Sequence, residues 1–287
     1  MKKILIILLF VASNIVATQA ATPQEMRFHC ANDTTKITQL LQRGIESGIK
    51  DANSLVAQYG EWLLGTPYVA HTLEGDTEML TINIDELDCT TFVETLYALT
   101  RTTLTGRYSW RDFAHNLEDI RYRGGNLNGY ASRLHYISDW IIENTFRGNI
   151  KECTQDFNGV QYMVKNIDFM SKNRDKYPAL ANDEVFMKIK GTEIGYRNHR
   201  FPYLKVDFNN QKRIKKMLKS GDIVAIVTNI KNLDVQHMGV IVLKNDVPYL
   251  LNASSVGKKV QIEEIDLAEY LRRNKTAIGI RVIRIVE

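Results

Sequence analysis

A change of pattern at residue 220 constrains this chain more than any other feature of its sequence. Before it, apolar residues recur at helical spacing: Ile37, Leu40 and Leu41, then Leu55, Val56, Trp62 and Leu63, with Gly65 and Pro67 of "GTPY" ending the run. After "SGD" at 220–222 come "IVAIVTNI", "QHMGVIVLK", "VPYLLNAS" and "GKKVQIEEI", short β-branched or alternating runs separated by Asn, Asp, Gly and Lys. These predict consecutive antiparallel strands. A helix around "LAEYLRRN" and a last strand at "IGIRVIRIVE" complete the chain. Helices first and strands later imply an α+β fold. Further helical patterns are read over roughly 110–120, 132–146 and 160–172. With no repeat, low-complexity tract or proline-rich linker, residues 21–287 read as one domain with a helical insertion at about 106–219.

The segment "MKKILIILLFVASNIVATQA" has two lysines, an apolar stretch and small residues at Thr18 and Ala20, the pattern of a secretory signal cleaved after Ala20. The apolar stretch is short for a membrane span. No cysteine follows it directly, since Cys30 lies further on in "MRFHC", so no stable membrane anchor is expected. Such a leader implies secretion across the inner membrane into the periplasm. The whole chain has 37 basic and 33 acidic residues, and the leader takes Lys2 and Lys3 with it. A balance so near neutrality does not suggest a nucleic-acid partner. The densest basic run, "QKRIKKMLK" at 211–219, reads as the solvated face of a short helix.

Three cysteines, Cys30, Cys89 and Cys153, leave an odd thiol in an exported chain. A Cys30–Cys153 bridge and three separate thiols are both compatible with the sequence. Cys89 is the informative one. In "DELDCTTFVETLYAL" it stands where a polar lead-in becomes the apolar helix face of Phe92, Val93, Leu96, Tyr97 and Leu99. Asp88 can cap a helix there, and Thr91 with Glu94 can form a competing capping box. Either start leaves Cys89 at the first turn, where unpaired N–H groups and the helix dipole favour a thiolate and could hold an oxyanion.

A nucleophilic cysteine needs a base, usually histidine. Of the six histidines, His29 lies near the exported terminus, His115 and His135 fall in helical patterns, and His71 and His199 lie in irregular polar segments. His237, in "VQHMGVIVL", begins a strand, and a sheet holds a side chain more precisely than a loop. The next strand offers Asn252 as a third polar group. No HExxH motif or paired-cysteine spacing is present, so no metal or other cofactor is expected.

Taken in order, "GTPY" at 65–68, "LDCTTFVE" at 87–94, "SGDIVAIV" at 220–227, "QHMGVIV" at 236–242 and "LLNASS" at 250–255 resemble the NlpC-type papain-like cell-wall cysteine hydrolases. "RLHYISDWIIEN" at 133–144, the long insertion and "LAEYL" at 267–271 resemble one branch, the N-acetylmuramoyl-L-alanine amidase-like family, from about residue 35 to the C-terminus. The resemblance implies a papain-like core with the nucleophile helix packed on an antiparallel sheet. It makes Cys89 the nucleophile, His237 the base and Asn252 the orienting residue, with Tyr68 and Thr90 at the oxyanion site or cleft wall. It implies hydrolysis of the amide joining the lactyl group of N-acetylmuramic acid to L-alanine in peptidoglycan fragments. The alternatives are an endopeptidase cutting the stem peptide after D-glutamate and a non-catalytic muropeptide-binding module. Two residues depart from the superfamily pattern: "DCTT" replaces "DCSG", and Asn252 stands where His is frequent. Arg133, Tyr136 and Ser254 are candidate substrate-binding residues, with a structural salt bridge as the other reading of Arg133.

Overall fold

The computed structural model describes residues 26–205 and 214–287. The leader read over residues 1–20 and the start of the basic run at 211–219 lie outside them. The N-terminal part contains β1 (Met26–Phe28), α1 (Asp33–Glu46), α2 (Ala52–Trp62), β2 (Leu80–Ile82), α3 (Cys89–Leu104), α4 (Trp110–Arg121) and α5 (Ile137–Phe146). The middle adds β3 (Ile150–Glu152), β4 (Val160–Val164), α6 (Phe169–Lys172), α7 (Asp183–Gly195) and β5 (Arg200–Leu204). The C-terminal part runs β6 (Ile223–Thr228), β7 (Val235–Lys244), β8 (Val247–Ser254), β9 (Lys259–Asp266), α8 (Leu267–Arg273) and β10 (Ala277–Ile285). The fold is α+β.

Among the described residues the main sheet has eight strands in the order β4-β5-β10-β6-β7-β8-β9, with β3 also pairing to β10 and every pair antiparallel. β1 and β2 form a separate parallel pair. The run "IVAIVT" of β6 is apolar on both faces because both are covered. On one side Ile223, Ala225, Met238, Val240 and Leu251 share a core with α2, α3 and α4. On the other, Val224, Ile226, Ile241, Leu250, Ile280 and Val282 meet Leu267 and Leu271 of α8.

The "GD" turn that opens the sheet is explained by close packing. Gly221 has φ +87°, and a Cβ there would fall 1.8 Å from the Asn53 carbonyl oxygen. The next residue, Asp222, is fully buried and accepts hydrogen bonds from Asn53 Nδ2 at 2.7 Å and Arg284 Nε at 2.7 Å, which ties α2 and β10 to the start of β6.

The structure corrects the reading of the middle segment. Residues 160–164 form a strand whose Tyr162 and Val164 are exposed, and the helix that follows is only Phe169–Lys172. The region at 106–219 therefore carries β3, β4 and β5 as well as helices. The three cysteines are separate free thiols, with Cys153 buried and Cys30 and Cys89 partly buried.

Candidate active site

Cys89 is the first residue of α3, and the local sequence fixes it there. Asp88 has extended backbone (φ −96°, ψ −178°), and its side chain accepts the N–H groups of Thr90 at 3.0 Å and Thr91 at 2.8 Å. Thr91 Oγ1 in turn accepts the Asp88 N–H at 2.8 Å. Of the two competing starts, the one capped by Asp88 forms. The cap also narrows the expectation that several helix N–H groups face the thiol. Asp88 consumes those of Thr90 and Thr91, and its carbonyl takes that of Phe92 at 2.9 Å. Among the described residues the Cys89 N–H is the first-turn donor left without a partner.

The facing groups come from three adjacent strands. Asn252 on β8 lies diagonally across from His237 on β7, and its Oδ1 is 2.8 Å from His237 Nε2. Glu263 on β9 takes the other end of the same amide, with Asn252 Nδ2 donating to its Oε1 at 2.9 Å. Gln261 Nε2 donates to the second carboxylate oxygen at 3.3 Å. Diagonal neighbours on one sheet face are within reach of such side chains. With Nε2 occupied by Asn252, Nδ1 is the ring nitrogen left for Cys89. Burial opposes the imidazolium, but the hydrogen bond and charge of Cys89, then Asn252 and Glu263, outweigh it and raise the His237 pKa.

Gly239 makes room for this row. It stands opposite Asn252 in the β7–β8 register, and a Cβ there would lie 2.7 Å from Leu250 Cδ1, 2.8 Å from the Leu251 carbonyl oxygen and 3.0 Å from Asn252 Cβ.

The open cleft beside His237 and Asn252 has a volume of about 470 Å³, and Ser254, Glu263, Tyr270 and Arg273 also line it. Tyr68 borders the thiol. Its N–H donates to the Lys258 carbonyl at 2.9 Å, which holds the "GTPY" segment on the β8–β9 turn. Burial, then the Cys89 and Asp88 charges, keep its hydroxyl protonated above the usual phenol range. Tyr270 on α8 is pushed up to about 12 by burial and by Glu263 and Cys89. Two protonated tyrosine hydroxyls thus lie near enough to Cys89 to feel its charge.

The remaining sequence-derived candidates lie in different settings. Thr90 Oγ1 is 4.0 Å from Cys89 Sγ, beside the thiol. Ser254 lines the cleft, where its Oγ accepts the Gly257 N–H at 3.1 Å. Arg133 is 7% exposed and paired with Glu74 at 2.7 Å and Glu78 at 3.3 Å. Tyr136 is buried, with its hydroxyl donating to Glu193 Oε1 and accepting the Met170 N–H. The structure thus brings Cys89, His237, Asn252, Tyr68, Thr90 and Ser254 together and engages Arg133 and Tyr136 in separate networks. Glu263 and Tyr270 were not singled out from the sequence. Glu263 sits in the adjacent pair "EE", and nothing local says which carboxylate faces the site.

The chemistry of the donor set does not favour a metal at this centre, whose thiol and imidazole engage one another and whose carboxylate is held by two amides. Among the described residues, Cys30, Asp33 and Asp85 come close enough to ligate a cation together, but the Lys36 ammonium already pairs with Asp85.

Residues 58–280 match the N-acetylmuramoyl-L-alanine amidase-like family. The chain belongs to this family. It is similar to the crystal structure of an N-acetylmuramoyl-L-alanine amidase from Bacteroides uniformis ATCC 8492, with 38% identity and a TM-score of 0.74 over 82% of this chain and 99% of that one. A Bacteroides fragilis protein provisionally described as a xylanase shares 36% identity, with a TM-score of 0.70 over 79% of this chain and 99% of that one. A Legionella pneumophila str. Philadelphia 1 protein at 20% identity shares the fold, with a TM-score of 0.67 over 90% and 96% of the two chains. No curated protein sequence matches the chain. Among the described residues no helix is long and apolar enough to cross a membrane.

Proposed function

We propose that this protein is a cysteine amidase that hydrolyses the bond between the lactyl group of N-acetylmuramic acid and L-alanine in peptidoglycan fragments, on an NlpC-type papain-like core. The observation that carries the reading is the row from Asn252 to His237 to Cys89, ending at a helix N-terminus with one free N–H. Membership of the amidase-like family supplies the substrate class. In this reading His237 Nδ1 takes the thiol proton and the Cys89 sulfur attacks the lactyl carbonyl carbon. The oxygen of the tetrahedral intermediate is held by the Cys89 N–H, with the Tyr68 hydroxyl as a second donor. The imidazolium then protonates the departing L-alanine nitrogen, and water, deprotonated by His237, clears the thioester. Thr90 shapes the wall beside the sulfur, and Ser254 the cleft floor. The leader-like N-terminus supports action outside the cytoplasm, in the periplasm.

Glycoside hydrolysis, the description given to the Bacteroides fragilis relative, requires two carboxyl groups across a sugar bond. Glu263 is the single carboxylate lining the described cleft, and both its oxygens accept from amides. The test is mass analysis of products from defined muropeptides with the intact protein and Cys89→Ala. Free sugar and a peptide beginning with L-alanine, lost in the variant, support the proposal. A cut after D-glutamate would make the protein an endopeptidase, binding without turnover a recognition module, and undiminished turnover by the variant would end the cysteine mechanism.

A further inference from the structure

We infer that Glu263 is a positioning residue that sets the direction of the whole proton relay, by allowing the Asn252 amide only one orientation. The inference rests on Cys89 and His237 being the reacting pair, and not on which amide bond they cleave.

An asparagine amide is two-faced. If its oxygen faces His237 Nε2, the imidazole must donate from Nε2, which leaves a lone pair on Nδ1 for the thiol proton. If its nitrogen faces Nε2, the imidazole must accept there and carry its proton on Nδ1, where it opposes the thiol proton and cannot take it. The two amide orientations therefore correspond to a competent and an incompetent tautomer. Asn252 is fully buried, so water does not decide between them. Glu263 does. An ionised carboxylate only accepts, so its Oε1, 2.9 Å from the amide nitrogen, requires N–H at that end and oxygen at the other. The second oxygen is held by Gln261 at 3.3 Å, which stops the carboxylate from swinging away.

The sheet makes the device rigid. His237, Asn252 and Glu263 occupy β7, β8 and β9 in a diagonal row, and the β8–β9 pairing of Asn252 with Gln261 fixes the reach of Glu263. A relay ending at an asparagine needs an acceptor on the amide nitrogen, because the amide alone does not specify its own polarity, and here Glu263 is that acceptor. A carboxylate in the place of Asn252 would need none.

That difference supplies the test. Cys89 reactivity is read as the rate of alkylation by iodoacetamide, followed by peptide mass mapping so that Cys30 and Cys153 are counted separately, and the His237 tautomer is read from its ¹⁵N chemical shifts. Both readouts are independent of the natural substrate. Glu263→Gln introduces a side chain that can donate as well as accept, and it should slow Cys89 alkylation at least about tenfold and mix the His237 tautomers. Asn252→Asp alone places two carboxylates in contact and should also be impaired. The combination Asn252→Asp with Glu263→Gln exchanges the acid and the amide: the bond between positions 252 and 263 reverses, while His237 still donates to position 252 and Gln261 still donates to position 263. It should recover most of the lost rate and a single Nε2–H tautomer. Unchanged alkylation and tautomer in Glu263→Gln would overturn the inference. So would a double variant no faster than the slower single one, since a residue that merely supports β9 gives no such rescue. Should Glu263→Gln fail to fold, the comparison of Asn252→Asp with the double variant decides the matter alone.

Discussion

Asp88 and Thr91 cap one another: the Asp88 carboxylate accepts the Thr91 N–H at 2.8 Å while Thr91 Oγ1 accepts the Asp88 N–H at 2.8 Å. This reciprocal pair fixes where α3 begins and so where the Cys89 thiol stands. Asp88→Ala should lower stability by about 1 kcal/mol, as loss of an N-cap does. It also frees the Thr90 and Thr91 N–H groups and loosens the first turn. A urea midpoint shift at unchanged slope measures the first effect, and slower Cys89 alkylation the second. An unshifted midpoint would mean that the cap contributes nothing to folding.

Glu94, which the sequence offered to a capping box, is used elsewhere. Its Oε2 accepts from Arg121 Nε at 2.7 Å, both side chains are 3% exposed, and Arg121 Nη1 also donates to the Thr81 carbonyl. Burial raises the Glu94 pKa against the pull of Arg121, the mark of a carboxylate that depends on its partner. Arg121→Leu leaves that charge alone and should cost about 3–5 kcal/mol, whereas pairing it with Glu94→Leu should restore much of the loss. Denaturant unfolding of the three variants checks this. Equal losses in the single and double variants would show that Arg121 matters through the Thr81 carbonyl instead.

The parts of the fold that could be read from the chain are those whose signal is local. "IVAIVT" is apolar over its whole length because β6 is covered on both faces, and Asp88 caps the helix that it precedes by one residue. β1 and β2 are three residues each, too short for any periodicity to show, and they pair in parallel across the intervening α1 and α2. β4 misled because "VQYMV" lies on an edge with two exposed apolar side chains, so burial does not impose alternation on it. Arg133 finds Glu74 and Glu78 more than fifty residues away, a partnership that no spacing announces. Glu263 and Glu264 are adjacent and point to opposite faces. Which one meets Asn252 depends on the β8–β9 register, and that register shifts between Tyr249 and Leu251.

Gly239 offers a probe of the site that leaves its polar groups intact. Its missing Cβ lets β7 and β8 approach at the point where Asn252 crosses to His237. Gly239→Ala should push against the Leu251 carbonyl and Asn252, costing about 1–3 kcal/mol of stability as overpacking does. It should also reduce turnover of muropeptide more than it weakens binding, because in the proposed mechanism Asn252 orients His237 as the base. Steady-state kinetics and binding measured on the same samples separate the two. An alanine variant with unchanged kcat would show that the strands can part without moving Asn252.

His135 supplies a pH dependence that belongs to the fold. It is partly buried beside Arg133, and its Nε2 donates to the Tyr130 carbonyl at 2.8 Å. Burial first, and the Arg133 charge second, push its pKa down to about 3 from an ordinary 6.5, although the Tyr130 carbonyl works in the other direction. The folded protein therefore holds this imidazole neutral while the unfolded chain takes up a proton below pH 6.5. The stability it contributes is complete above that value and falls as the pH drops, by about 1.4 kcal/mol per unit until the folded-state value near 3 is reached. His135→Gln removes the proton uptake but retains an N–H donor for Tyr130. Urea midpoints for the two proteins should therefore diverge at neutral pH, where the native histidine packs better, and converge as the solution is acidified from pH 6.5 towards 4. Carboxylates elsewhere titrate alike in both and cancel in the difference. Parallel curves over this range would show that His135 is protonated within the folded protein.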